Sequence, residues 1–222
     1  MTSNETKLAM PPVVDRETWD SAIQAELKLE NELRDKMLEL AAERRRLPMT
    51  PVVGDYTFVG EEGEQSLADI FQGNRQLVVY HFMFAPDWPK GCPHCTGYAR
   101  MQGPAMNEVL ADRDIRYVLM SRAPYEKLKA WKEEKGITTP WYSVPTEFSW
   151  DMGVINDSFG DFPGISVFFR DDDNNVYRSF KTNDFLVETT MPASGFMRMV
   201  PYGMQERGED SPEGWPQNFD PM

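Results

Sequence analysis

Cys92 and Cys95 are the only cysteines among 222 residues, and Pro93 and His94 stand between them. Two thiols at this spacing can form and break one disulfide: the first sulfur attacks, and the second releases the mixed disulfide so formed. Pro93 is informative, because proline is tolerated where a helix begins and its missing N–H would have had no partner. The spacing therefore predicts Cys92 at a helix N-terminus, where free N–H groups and the helix dipole favour thiolate over thiol. His94 adds to this when its imidazole is protonated. Two plainer readings stand beside exchange chemistry: a pair of inert buried thiols, and half of a zinc site. Zinc needs about four ligands, and Cys92, Cys95, His81 and His94 are all the Cys and His in the chain.

The elements that must position the pair are legible on either side of it. Leu77 to Phe84 is apolar, β-branched and aromatic, with no Gly or Pro, and reads as a buried strand. Ala85 to Gly91 is loop, punctuated by Pro86, Pro89 and Gly91. After Cys95 the helical pattern runs through Tyr98 and Met101, breaks at Gly103-Pro104 and resumes over Val109 and Leu110. Ile115 to Met120 is a second strand, and Tyr125 to Lys135 a helix closed by Gly136. Strand, helix, strand, helix implies parallel neighbours joined by right-handed crossovers.

Upstream, Asp15 caps a helix running from Arg16 towards Leu47, a stretch without Gly or Pro. Trp19, Ile23, Leu27, Leu33, Met37 and Leu40 form a narrow apolar stripe along it. That stripe calls for a cover, either the chain's own core or a second copy, and a homodimer through this helix is the expectation. Arg44-Arg45-Arg46 suits a helix C-terminus better than a nucleic-acid site. Tyr56 to Val59 reads as a strand, followed by a turn and a short helix capped by Ser66. Downstream come an extended piece over Trp141 to Val144, a short helix ended by Gly153, and the strands Ile165–Arg170 and Val176–Phe180. The acidic turn Asp171-Asp172-Asp173 between them lacks the spacing of a calcium loop. Phe185, Leu186, Val187, Phe196 and Met199 suggest a closing helix, followed by an acidic, Pro- and Gly-rich tail. The divisions are an N-terminal arm and helix (1–50), a central domain (51–204) and the tail (205–222).

The formal charge is −13, from 23 basic and 36 acidic side chains, which argues against nucleic acid and against anionic membranes as partners. No run is long enough to span a membrane. The first residues carry no apolar signal core, so a cytoplasmic location is expected. A lone cysteine pair there is more naturally catalytic or sensing than a structural staple.

This order of elements, with the pair at the first helix start, resembles the thioredoxin fold: α/β, a central mixed sheet flanked by helices, here with a long N-terminal helical extension. That fold carries a cis-proline before its third central strand, and Pro163 matches the position. The chain is similar, over roughly residues 10 to 200, to the thioredoxin-like family known as domain of unknown function 899. The matching segments are Val13–Trp19, Ala41–Pro48, Val79–Phe84 with the cysteine pair, Ser121–Pro124, Asp151–Val154 and Pro163–Asp171. Cys-Pro-His-Cys is also the pair of the bacterial periplasmic disulfide oxidant, a likeness confined to four residues that implies a comparatively oxidising pair.

The resemblance implies a thiol–disulfide oxidoreductase with no cofactor and no metal, acting on a protein or small-molecule thiol or disulfide. Cys92 attacks, Cys95 resolves, His94 tunes the thiolate and Pro163 shapes the substrate groove. Trp88, Tyr98 and Phe162 are candidates for its walls or for plain packing. Arg122, after a central strand, is a candidate anion holder or a surface residue. A peroxiredoxin-like peroxidase is an alternative, although Asp87 to Gly91 replaces the threonine such enzymes carry before the cysteine. A non-catalytic interaction protein on the same scaffold is another.

Overall fold

The computed structural model describes residues 9–183, 187 and 189–220. The chain divides into two units, one of residues 48–192 and one of residues 1–47 with 193–222.

The larger unit is built on an eight-stranded mixed sheet. Its central strand β4 (Gln76–His81) lies parallel to β5 (Ile115–Ser121) and antiparallel to β9 (Gly164–Arg170). Outward from β5 come β6 (Trp141–Ser143), β2 (Phe58–Gly60) and β3 (Gly63–Gln65). Outward from β9 come β10 (Val176–Asn183) and β1 (Thr50–Pro51). The crossovers are helical: α3 (Pro93–Met101) and α4 (Pro104–Ala111) join β4 to β5, and α5 (Tyr125–Lys135) joins β5 to β6. A motif strand between a parallel and an antiparallel neighbour, with a hairpin returning beyond, is the thioredoxin arrangement expected from the sequence.

Several helices of this unit end where their residues predict. Gly136 takes the left-handed conformation (φ 65°) and closes α5, and Gly103-Pro104 separates α3 from α4. Ser66 and Asp69 form a capping box on α2 (Leu67–Ile70). After α6 (Thr146–Met152), a hairpin of β7 (Ile155–Asn156) and β8 (Gly160–Asp161) stands apart from the main sheet.

Strand β4 alternates its side chains between two faces. Leu77 and Val79 enter an apolar cluster with Phe58, Phe148 and Phe168, where the Phe58 and Phe148 rings meet edge to face at 4.9 Å. His81 shares that face: it lies 6.3 Å from the Phe148 ring, and its Nε2 is 2.8 Å from Ser166 Oγ. Burial pulls the His81 imidazole down to about 3, with Arg178 adding to the effect. Tyr80 and Phe82 point the other way, Tyr80 towards α3.

In the smaller unit, α1 spans Arg16–Arg44 with Asp15 as its N-cap, and its helix ends three residues short of Leu47. No residue of α1 is buried; Leu33 and Met37 are 62% and 63% exposed. The apolar stripe, for which the chain's own core or a second copy was the expected cover, is thus unburied among the described residues. Helix α7 (Pro192–Met199) forms where a closing helix was expected, while Phe185 and Leu186 lie outside the described residues. The C-terminal segment folds locally, with the Tyr202 ring edge-on to Trp215 at 5.4 Å. Among the described residues, no helix is long and apolar enough to cross a membrane.

Candidate active site

Cys92 is the N-cap residue of α3 and Pro93 begins the helix, as the residue types require. The Cys92 N–H donates to Met83 O at 3.1 Å, which ties the end of the loop to the chain leaving β4. The preceding Gly91 is closely packed: a Cβ there would come within 2.8 Å of Trp131 Nε1 and 2.9 Å of the Phe82 ring. A side chain at this position would push one of the two rings out of place.

The two thiols are free and both are buried, Cys92 at 9% exposure and Cys95 at 1%. Their acidities move in opposite directions. The Cys92 thiol is lowered to about 6, chiefly by the hydrogen bond from the Cys95 side chain. The backbone N–H groups of Cys95 and His94 and the nearby His94 charge act the same way, against burial. Cys95 is pushed well up, first by burial and then by its neighbour Cys92, with the Tyr80 hydroxyl opposing the rise. Such a pair holds a thiolate at Cys92 near neutral pH and a proton at Cys95.

Behind Cys95 lies a group of tyrosines. The Tyr80 and Tyr98 rings stack at 4.2 Å, and the Tyr98 hydroxyl is 2.6 Å from Thr190 Oγ1. Tyr117 is buried nearby, and burial is the main reason that all three phenols are raised. The one that faces Cys95 most directly is Tyr80, whose hydroxyl hydrogen-bonds the thiol.

In front of Cys92 is a cavity of about 580 Å³ lined by Trp88, Lys90, Cys92, Arg100, Trp131 and Lys135 among others. Cys92, Thr96 and Arg100 are spaced by four residues along α3, and Trp131 and Lys135 by four along α5, so each set shares a helix face. Thr96 couples the faces: its Oγ1 accepts from Trp131 Nε1 at 3.1 Å and donates to Cys92 O at 2.8 Å. Thr96, Arg100, Trp131 and Lys135 escape a linear reading, although the four-residue spacing from Cys92 was a usable signal for the first two.

Tyr98 packs in the tyrosine group and Trp88 is on the cavity wall. The Arg122 guanidinium is taken up by Asp161, its Nε and Nη2 donating to the two carboxylate oxygens at 2.7 and 3.1 Å. His94 is exposed on the first turn of α3. Phe162 and Pro163 are half-buried immediately before β9, whose Gly164 pairs with His81 at the same end of β4 from which the loop to Cys92 departs. The Phe162–Pro163 bond departs from the cis form the resemblance carries, since no cis peptide bond occurs among the described residues. His81 sits on the sheet face away from Cys95, and no group of three or more metal-ligating side chains gathers among the described residues.

Iodoacetamide should therefore modify Cys92 with a rate that climbs through a midpoint near the value of about 6 and then levels. Cys95 should stay unmodified over the same range. Mass mapping at each pH is the check, and a midpoint at the ordinary thiol value of about 8.5 would remove the poised thiolate.

Residues 8–220 match the family described as "Bacterial protein of unknown function (DUF899)". Among solved structures, a thiol:disulfide interchange protein from Bacteroides sp. is similar at 17% identity and a TM-score of 0.43, over 65% of this chain and 91% of that one. Peroxidoxin BcpB from Mycobacterium tuberculosis is similar at 18% and 0.44, over 62% and 86%. A putative thiol:disulfide interchange protein DsbE from Chlorobium tepidum is similar at 14% and 0.42, over 65% and 92%. No curated protein matches the chain.

Proposed function

We propose, from the premise that the chain belongs to the DUF899 family, that it is a thiol–disulfide oxidoreductase with Cys92 as nucleophile and Cys95 as resolving thiol. The observation that carries this reading is the split acidity of the pair: a thiol lowered to about 6 at a helix N-cap, hydrogen-bonded by a buried partner that keeps its proton.

The Cys92 thiolate attacks one sulfur of a substrate disulfide. A bond forms between Cys92 and that sulfur, the substrate S–S bond breaks, and the other half leaves as a thiolate. Consumption of the Cys92 charge removes one cause of the raised Cys95 pKa, so Cys95 loses its proton more readily at this stage than before. The Tyr80 hydroxyl, already hydrogen-bonded to Cys95, favours the thiolate as it forms. Cys95 then attacks the Cys92 sulfur, expels the second substrate thiolate and leaves the protein oxidised by two electrons. The reverse sequence reduces the protein and oxidises two thiols. We place the reaction in the cytoplasm, where a lone pair of this kind serves chemistry rather than stapling.

Equilibration in glutathione buffers of graded ratio, followed by acid quench, alkylation and mass measurement, tests the reading. A single reversible transition from two alkylated thiols to none supports it. Two thiols that remain reduced at every ratio overturn it.

A further inference from the structure

We infer that the substrate is a small anionic disulfide, one carrying carboxylates close to its sulfur–sulfur bond, and that Lys90 and Arg100 select it. The inference rests on the redox reading of Cys92 and names what that site accepts.

The first argument is shape. The space in front of Cys92 is concave and about 580 Å³, within the range of about 300–1,000 Å³ typical of small-molecule sites. One wall is held in place: Trp131 is hydrogen-bonded to Thr96 and packed where the Cβ of a residue at position 91 would lie.

The second argument is charge. The protein has a formal charge of −13, yet the charged residues lining this cavity are Lys90, Arg100 and Lys135, with no carboxylate. Lys135 is partly committed, its Nζ 2.7 Å from Glu134 Oε1 and 4.5 Å from the centre of the Trp131 ring. Lys90 and Arg100 are exposed and have no ion-pair partner among the described residues. Cations left unpaired around one concavity of an acidic protein create a local positive field that concentrates anions there. Trp88, Pro93 and Trp131 supply apolar wall against the carbon chains of the ligand.

In the reaction, Cys92 thiolate and RS–SR give the Cys92–S–SR mixed disulfide and RS⁻. Cys95 thiolate then gives the protein disulfide and a second RS⁻. Two electrons pass from protein to substrate, and the proton released by Cys95 and one from solvent end on the two product thiols. Attack brings a negative sulfur to a negatively substituted disulfide, so flanking cations are needed to offset the repulsion.

Three alkyl disulfides of nearly equal length but different charge test this: 3,3′-dithiodipropionate, 2-hydroxyethyl disulfide and cystamine. Each rate of oxidation of the reduced full chain is divided by the rate of the same disulfide with 2-mercaptoethanol, which removes leaving-group differences. At low salt the normalised rate for dithiodipropionate should exceed that for cystamine by at least about tenfold, and added salt should shrink the ratio. In the Lys90→Glu/Arg100→Glu double variant the order should invert. Both substrates meet the same thiolate, so any change in Cys92 acidity cancels from the ratio. Equal normalised rates for the three, or cystamine fastest in the unaltered chain, overturn the selectivity while leaving exchange chemistry standing. Inertness towards all three overturns both.

Discussion

Cys92→Ser should abolish disulfide exchange, a loss of at least about 1,000-fold, because a serine hydroxyl supplies no nucleophile at neutral pH. Cys95→Ser should behave differently: the first attack survives, the second cannot occur, and one substrate thiol per chain accumulates on Cys92. Intact mass with and without reductant reads both results. The asymmetry follows from placement, since Cys92 lines the cavity while Cys95 is 1% exposed and faces Tyr80. A third variant separates the cause of the lowered Cys92 pKa from its consequence. Cys95→Ala removes the hydrogen bond that is the largest cause of the Cys92 shift, so the Cys92 alkylation midpoint should move up from about 6 towards the ordinary thiol value of about 8.5. Cys95→Ser keeps a hydroxyl donor and should move it less. The midpoint is the quantity to follow, because nucleophilicity rises with basicity with a Brønsted slope of about 0.4–0.5 and masks much of the change in rate. An adduct on Cys95 in the Cys92→Ser protein, formed at the unaltered rate, would reverse the assignment of roles.

The motif strand, the loop and the helix start were readable because each is fixed by local residue chemistry. Pro93 after Cys92 admits few conformations but a helix N-terminus, and the apolar run before the loop suits only a strand buried on both faces. Gly136 and Gly153 mark helix ends because both adopt φ near 65°. The cavity was less legible. Its walls come from residues as far apart as Trp88 and Lys135, and only the crossover that lays α5 beside α3 brings Trp131 to Thr96. Tyr98 illustrates the same limit from the other side: three residues beyond Cys95 it looks like part of the site wall, but the helical turn aims it at Tyr80. The two-residue strand β1 and the β7–β8 hairpin had no periodicity to reveal them, since pairing partners rather than pattern define so short a strand.

Asp161→Ala should lower stability by about 3 kcal/mol, the cost of leaving a largely buried charge without its partner. Sequence alone left Arg122 open as an anion holder or a surface residue, and the fold gives it a specific counter-ion 39 residues away. The pair is bidentate, and the two side chains are only 16% and 9% exposed, so water cannot replace the lost carboxylate as it would at an exposed pair. It also joins two parts of the chain next to the site. Ala123, beside Arg122, donates its N–H to Phe84 O at 2.8 Å, and Asp161 immediately precedes Phe162 and Pro163. Urea unfolding followed by tryptophan fluorescence measures the effect, and the expected fall in melting temperature is about 6–12 °C for a chain of this size. Replacing both partners by apolar residues, Arg122→Met with Asp161→Leu, should recover most of the loss, because the penalty lies in the orphaned charge rather than in the absent attraction. A loss below about 1 kcal/mol in the single variant would place the pair with solvent-screened ones and return Arg122 to the groups able to bind a substrate anion.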